Sequence, residues 1–277
     1  MNPLLKTVEL PYRGVNRLRR ALYRAGILRS RRLPRPVISV GNIAAGGTGK
    51  TPAVIAIARF LAGRGLRVAV LTRGYGRTGR GGPVTSLDPA LFGDEPVLIK
   101  KSVPNVDVIV GENRYENGLH INCDVFLLDD AFQHLQLARD LDIVIDVPHP
   151  RFSREGRSSL RAADVVIPRR IAVVDPQAIR GRRVLAFAGL ADNEQFFATL
   201  RDAGAELAGT RGFPDHHLYT PADVASLRTA AAVADAAAIV TTEKDAVKVL
   251  EPDIIAVPIE FVIPAEVLDR IAALVAP

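Results

Sequence analysis

Apolar residues fall along this chain in short blocks set between longer stretches of helical spacing. Val37-Ile38-Ser39-Val40 follows Pro34 and Pro36 and reads as a strand. A glycine-rich turn comes next, then a helical stretch over residues 51–63. Residues 67–72 predict a second buried strand, and 106–110, 125–128 and 141–147 predict further ones. Short apolar strands alternating with helical stretches argue for an α/β fold with a parallel sheet. Residues 77–90 are rich in Gly, Pro, Ser and Thr and read as a long mobile loop, a kind of segment that in a compact domain is often functional.

Near residue 170 the pattern restarts. Strands at 184–188, 237–241 and 254–263, a helix at 193–203 and a helical alanine run at 230–238 predict a second, smaller α/β unit. Pro258 demotes the last strand to an edge or splits it, because proline has no N–H to give to a ladder. The chain thus divides into a basic segment at 1–36, a main parallel-sheet domain at 37–175 and a smaller C-terminal α/β domain at 176–277.

Charge changes the reading of the first segment. Residues 1–36 hold ten Arg or Lys against the single acid Glu9, a net +9, while the whole chain is only +6; the other 241 residues are therefore −3. Leu4, Val8, Val15, Leu18, Leu22 and Ala25 recur at helical spacing, with Pro11 interrupting, and Arg17, Arg20 and Arg24 fall elsewhere on the wheel. A basic amphipathic helix of this kind lies on an anionic membrane surface. The plainer alternative is a helix packed on the body with its arginine face in water, and +9 is high for that. A nucleic-acid enzyme would more often carry its basic charge around the site.

Composition narrows the class further. Hydrophobic residues make up 48% of the chain and charged residues 24%, enough for a sizeable core and incompatible with disorder over most of the length. Cys123 is the sole cysteine, which excludes an internal disulfide and a Cys-based zinc site and fits a reducing compartment. No stretch approaches the ~20 apolar residues of a spanning helix, and the N-terminus lacks a signal peptide's apolar core. The expected location is the cytoplasm.

The strongest chemical signal is Ala44-Ala45-Gly46-Gly47-Thr48-Gly49-Lys50-Thr51, lying between a strand and a helix. That context is what a phosphate-binding P-loop requires: glycines let backbone N–H groups wrap the phosphates, Lys50 reaches the β- and γ-phosphates, and the Thr51 hydroxyl ligates Mg²⁺. Ala44 stands where the strict pattern has glycine. A P-loop NTPase-like parallel-sheet domain with a second, smaller α/β domain is the expected fold. Val125-Phe126-Leu127-Leu128-Asp129-Asp130 is an apolar strand ending in carboxylates, the arrangement that holds Mg²⁺ directly or through water; which of Asp129 and Asp130 is nearer the metal stays open. Gly93-Asp94-Glu95-Pro96 offers either a general base for an acceptor hydroxyl or simply acids at a helix start. Phe213-Pro214-Asp215-His216-His217 gathers an acid and two imidazoles that could bind metal, relay a proton or sit on the surface.

Taken in order, these motifs resemble the tetraacyldisaccharide 4′-kinases. The likeness runs nearly the whole chain, through VISVGNIAAGGTGKTP (37–52), LTRGYGR (71–77), GDEP (93–96), GENRYE (111–116), LLDDAFQH (127–134), LARDLDIVIDV (137–147), AFAGLADNEQFF (186–197), FPDHHLY (213–219) and TTEKDAVK (241–248). The resemblance implies transfer of the ATP γ-phosphate, with Mg²⁺, to the 4′-hydroxyl of a tetraacyldisaccharide 1-phosphate at the cytoplasmic face of the bacterial inner membrane. By the same resemblance Asp94 is the base, assisted by His216; Lys50 and Thr51 serve the phosphates and the Mg²⁺; Asp129 and Asp130 organise the metal. Ala45, Gly46, Gly47, Thr48 and Gly49 complete the nucleotide loop, and Tyr75, Arg114, Gln133 and His134 line the site. The lipid disaccharide is the implied partner, with the membrane met through the arm; no nucleic acid and no obligate protein partner is implied. The chain departs from the family pattern at 151–160, which keeps Arg154 and Glu155 but has Gly156 for proline, at 189–193, and at Ala131. Those segments bear on the acceptor more than on the phosphate chemistry.

Rival readings fit less well. A membrane-positioning nucleotide switch carries a lysine where Ala45 stands, and a guanine-binding motif is absent because Thr242-Glu243-Lys244-Asp245 has the wrong spacing. A P-loop kinase of another glycolipid or of a small soluble acceptor is the alternative; a soluble acceptor leaves the +9 arm unexplained.

Overall fold

The computed structural model describes residues 3–44, 49–147, 153–249 and 251–276. Helix α1 (Pro3–Arg24) leads into β1 (Val37–Gly41), α2 (Lys50–Gly63) and β2 (Val68–Thr72). Next come β3 (Gly82–Pro83), α3 (Pro89–Phe92), α4 (Asp94–Ser102), β4 (Asp107–Val110), α5 (Arg114–Leu119), β5 (Val125–Asp129), β6 (Leu141–Asp146) and β7 (Val165–Pro168). The seven strands form one sheet in the order β3-β4-β2-β5-β1-β6-β7, parallel except for β3. Alternate residues of each strand serve opposite faces. Ile38, Val40 and Leu127 pack under α2 and α4, whereas Val37, Phe126 and Leu128 join Leu33, Tyr115 and Ile121 on the other side.

After β8 (Ile171–Val173) the chain forms β9 (Arg183–Ala188), α6 (Asn193–Asp202), β10 (Glu206–Gly212), α7 (Pro221–Val233), β11 (Ala238–Thr242), α8 (Glu243–Val249) and β12 (Ile254–Val257). Four of these strands make a second parallel sheet in the order β10-β9-β11-β12. Pro258 divides the 254–263 run as its missing N–H demands: β12 stays in the second sheet, while β13 (Ile259–Phe261) turns to pair antiparallel with β8. Helix α9 (Ala265–Leu274) then returns to the first sheet, where Val267 and Ile271 are buried in its core with Phe261. The two sheets are thus stitched together by the last twenty residues as well as by the crossover at β8.

Three local expectations are corrected. Pro11 does not interrupt α1, which runs through it. The alanine run ends its helix at Val233, and Asp235 at φ 49° turns the chain into β11. The 77–90 segment carries β3 and the start of α3, capped by Asp88, rather than a structureless loop. No described helix is long and apolar enough to cross a membrane.

The placement of α1 is unusual for an amphipathic helix packed on a folded body. Among its described side chains the buried ones are polar, Asn16 and Arg20, while Val15 and Leu18 are 58% and 61% exposed. The Arg20 guanidinium donates to both oxygens of Glu155 at 2.5 and 2.9 Å and to the Phe132 carbonyl at 2.9 Å, and lies over the Phe132 ring. The Asn16 amide donates to the Arg154 carbonyl at 3.0 Å. An arginine face directed into water, the plainer expectation for this arm, does not describe Arg20.

Candidate active site

A cleft of about 810 Å³ opens where the C-terminal ends of β2 and β5 face the second sheet, the position in an open parallel sheet where ligands bind. Helix α2 begins at its floor. Gly49, at φ 83°, is the residue before that helix. A Cβ there would sit 3.2–3.3 Å from the Ile171 and Phe261 side chains; the left-handed backbone favours glycine, and a side chain would also press on those two residues. Lys50 and Thr51 occupy the first turn of α2 and line the cleft. Ala45, Gly46, Gly47 and Thr48 lie outside the described residues.

Strand β5 delivers Asp129 and Asp130 to the same place. Asp129 is buried; its Oδ2 accepts from the Thr72 hydroxyl at 3.0 Å, its carbonyl accepts from Arg114 at 2.7 Å, and its Oδ1 is buried without a hydrogen-bond partner. Burial, with Glu95 and Asp130 nearby, pushes the Asp129 carboxyl up to about 7 against the pull of Lys50 and Arg114. A carboxylate oxygen left bare beside a buried threonine hydroxyl fits a hard divalent cation, whose charge would favour the ionised form. Asp130 differs. At φ 47° it turns the chain sharply, and both its oxygens accept from Arg154 at 2.9 Å, with Lys50 Nζ 3.7 Å away. Opposite charges hold Asp130 below the ordinary carboxylate range despite its burial.

Gln133 and His134 follow in the turn after β5. Gln133 donates to the Asn42 carbonyl at 2.8 Å and to Glu155 at 3.1 Å, joining the α1 contacts to the cleft wall. Burial and the arginines around it, Arg114, Arg139, Arg19 and Arg73, push His134 down to about 4, so its imidazole is neutral at physiological pH. Arg114 itself is buried and braces the β5 terminus. Tyr75, in the loop after β2, is 68% exposed, with its ring centroid 5.9 Å from that of His216.

At the far end of the cleft the second sheet contributes. Gly93, at φ 93°, lets the chain enter α4 with Asp94 as its first residue; a Cβ on Gly93 would stand 2.8 Å from the Tyr75 carbonyl. His216, at φ 60° in the loop after β10, places Nδ1 3.1 Å from Asp94 Oδ2. Lys248 Nζ on α8 is 3.2 Å from the same oxygen. The cleft wall here is His216, Asp215, Glu95 and Lys244, with Asp94 packed just behind the imidazole. His217 points elsewhere: Nε2 is 3.2 Å from Asp223, and the ring stacks on Phe213. The two histidines of one motif therefore divide into a site residue and a loop brace.

The structure thus brings Lys50, Thr51, Tyr75, Arg114, Asp129, Asp130, Gln133, His134 and His216 to one cleft, with Asp94 in contact through His216. Arg154, Arg169, Lys244 and Lys248 were given no role in the sequence reading. Arg154 and the two lysines lie in segments that reading quoted, REG and TTEKDAVK, but nothing in either stretch says what it faces.

A family model for tetraacyldisaccharide-1-P 4′-kinase matches residues 1–167 and 151–276. The tetraacyldisaccharide 4′-kinase of Geobacter metallireducens is 40% identical, the match covering 88% of each chain. That of Syntrophus aciditrophicus is 36% identical over 93% of this chain and 87% of its own. The crystal structure of LpxK from Aquifex aeolicus in complex with ATP superposes with a TM-score of 0.76 at 28% identity, covering 98% of both chains. With the motifs, the cleft and these matches in agreement, the chain belongs to the tetraacyldisaccharide-1-P 4′-kinase family.

Proposed function

We propose that this protein transfers the γ-phosphoryl group of ATP to the 4′-hydroxyl of a tetraacyldisaccharide 1-phosphate, giving the bis-phosphorylated lipid of lipid A biosynthesis. The observation that carries the reading is one cleft holding a P-loop lysine and a strand-end carboxylate pair, with His216 at its wall paired to the buried Asp94 behind it.

Phosphoryl transfer asks a protein for position and charge more than for covalent chemistry. The 4′-oxygen forms its bond to Pγ as the bond from Pγ to the β–γ bridging oxygen breaks and ADP departs. Lys50, at the start of α2, offsets the negative charge on the transferring group and the leaving oxygen, and the α2 N-terminus adds its own positive end. Arg154 holds Asp130, which in turn keeps Lys50 on station. Thr51 and Asp129, with Asp130 alongside, would hold the Mg²⁺, which when bound supplies further neutralisation of phosphate charge. The hydroxyl proton goes to the Asp94–His216 pair, Asp94 acting as base with His216 as its partner at the cleft wall. Tyr75, Arg114, Gln133 and His134 shape the surface between phosphate and acceptor.

The basic arm at 1–36 is the membrane-side segment, and 37–175 and 176–277 work as two units around the cleft, the end of the second, β13 and α9, packing back on the first sheet. Exposed Val15 and Leu18 on α1, with Ile27 and Leu28 beyond it, support a peripheral seat on the cytoplasmic face of the inner membrane. Incubating the protein with γ-labelled ATP and tetraacyldisaccharide 1-phosphate in detergent micelles tests the function. A labelled bis-phosphorylated lipid, absent with Lys50→Ala, is expected; a folded, ATP-binding protein that labels no lipid would refute the acceptor.

A further inference from the structure

Lys248 is among the most enclosed cations of the described chain, its side chain 4% exposed, and the chemistry above makes no use of it. A lysine so buried must be paired, because an unpartnered ammonium is far too costly away from water. Its ammonium stands 3.2 Å from Asp94 Oδ2 and 3.1 Å from Asp245 Oδ1. Asp245 is in turn immobilised: its Oδ2 accepts from the Gly189 N–H at 2.9 Å and the Thr242 hydroxyl at 2.8 Å, while its own N–H donates to that hydroxyl. Helix α8 thus presents a rigidly held cation to the first residue of α4. Lys244, one turn earlier, pairs with Asp215 at 3.1 Å and lines the cleft instead.

We propose that Lys248 is a positioning residue of this kinase, its ammonium fixing the Asp94 carboxylate against His216 from the side away from the cleft, with Asp245 as the anchor that aims it. The inference rests on the reading of Asp94 and His216 as the proton-accepting pair. Lys248 and His216 both approach Asp94 Oδ2. Asp94 is faced by Glu95 from its own helix, by Asp215, His216 and Tyr219 from the loop after β10, and by Lys244, Asp245 and Lys248 from α8. In that setting burial pushes Asp94 up, but the His216 hydrogen bond and the two lysines outweigh it and hold the carboxyl below its ordinary value. A latch that only joined α8 to α4 would alter stability and leave the pH dependence of turnover alone.

Taking away the ammonium raises the Asp94 pKa, so turnover that needs ionised Asp94 fails at a higher pH. Measured on the full chain in detergent micelles, the acid limb of kcat for Lys248→Met should move up by about 1–3 pH units. Lys248→Arg should restore most of the profile, and the KM for ATP should stay put in both. Lys248→Met strands Asp245, so the double variant Lys248→Met/Asp245→Asn, which removes one charge of each sign, guards against misfolding and should shift the acid limb in the same direction by a smaller amount. A folded single or double variant with the wild-type acid limb would overturn the proposal. Asp94→Asn separates the two claims. Near-normal turnover there would remove the Asp–His pair and this proposal together. An inactive Asp94→Asn beside an unshifted Lys248→Met would remove the role of Lys248 alone.

Discussion

The two ends of the cleft are built in different ways. At the phosphate end, Lys50, Thr51, Asp129, Asp130 and Arg114 come from β5, the turn after it and helices α2 and α5 on the same sheet, held by short contacts at the ends of β2 and β5. At the acceptor end, Asp94 from α4 meets His216 and Lys248 from the second sheet's side, 122 and 154 positions away. The phosphate-end residues named here all come from the first sheet and the helices on it. The Asp94–His216 contact proposed to accept the proton forms only where the two sheets' elements meet. ATP binding and hydroxyl activation should therefore respond separately to mutation, with the second the more dependent on how the sheets are stitched.

Replacing His216 by Asn gives the largest expected effect. Turnover should fall by about 10²–10⁴-fold, the usual worth of general acid–base assistance, with the ATP KM little changed; a KM that rises in step with the fall in kcat would tie His216 to the nucleotide instead. Next comes Arg20→Met at the phosphate end. It strands Glu155, whose side chain is 2% exposed, and breaking a buried pair by removing one partner costs about 3–5 kcal/mol. Urea unfolding should register that loss, and a loss under about 1 kcal/mol would mean that α1 is only loosely docked.

Smaller effects sharpen the picture at the edges. Val15→Asp/Leu18→Asp should weaken binding to anionic vesicles by at least ~10-fold, since each apolar side chain gains about 1.5–3 kcal/mol on burial. Thermal stability should hold, because both side chains are exposed. Unchanged sedimentation with vesicles would show that the membrane is met elsewhere. His217→Gln should cost only about 1 kcal/mol of stability through its Asp223 contact and leave kcat within about two-fold, in contrast to its neighbour.

The same contrast explains what could be read from sequence. Lys50, Thr51 and the Asp129–Asp130 pair were legible because strand, glycine loop and strand-end acids are contiguous and their spacing encodes their geometry. The split at Pro258 was legible from one missing N–H. Arg20 was not: its partners Glu155 and Phe132 lie 135 and 112 positions along, and on a helical wheel it reads as one more solvated arginine. Strand β10 (ELAGTRG) escaped because it is an edge strand with glycines and no apolar run. Lys248 sat within a quoted motif, yet only folding shows that it faces Asp94 while Lys244 faces the cleft. Of the two histidines in DHH, spacing left both open; the family resemblance pointed to His216, and it is His216 that meets Asp94.

The most direct test of the divided site is equilibrium ATP binding and single-turnover phosphate transfer on one preparation of Asp94→Asn. The account predicts ATP affinity within about two-fold of wild type and transfer slowed by about 10²–10⁴-fold. Transfer at the wild-type rate, or a loss of ATP affinity as large as the loss of transfer, would contradict it.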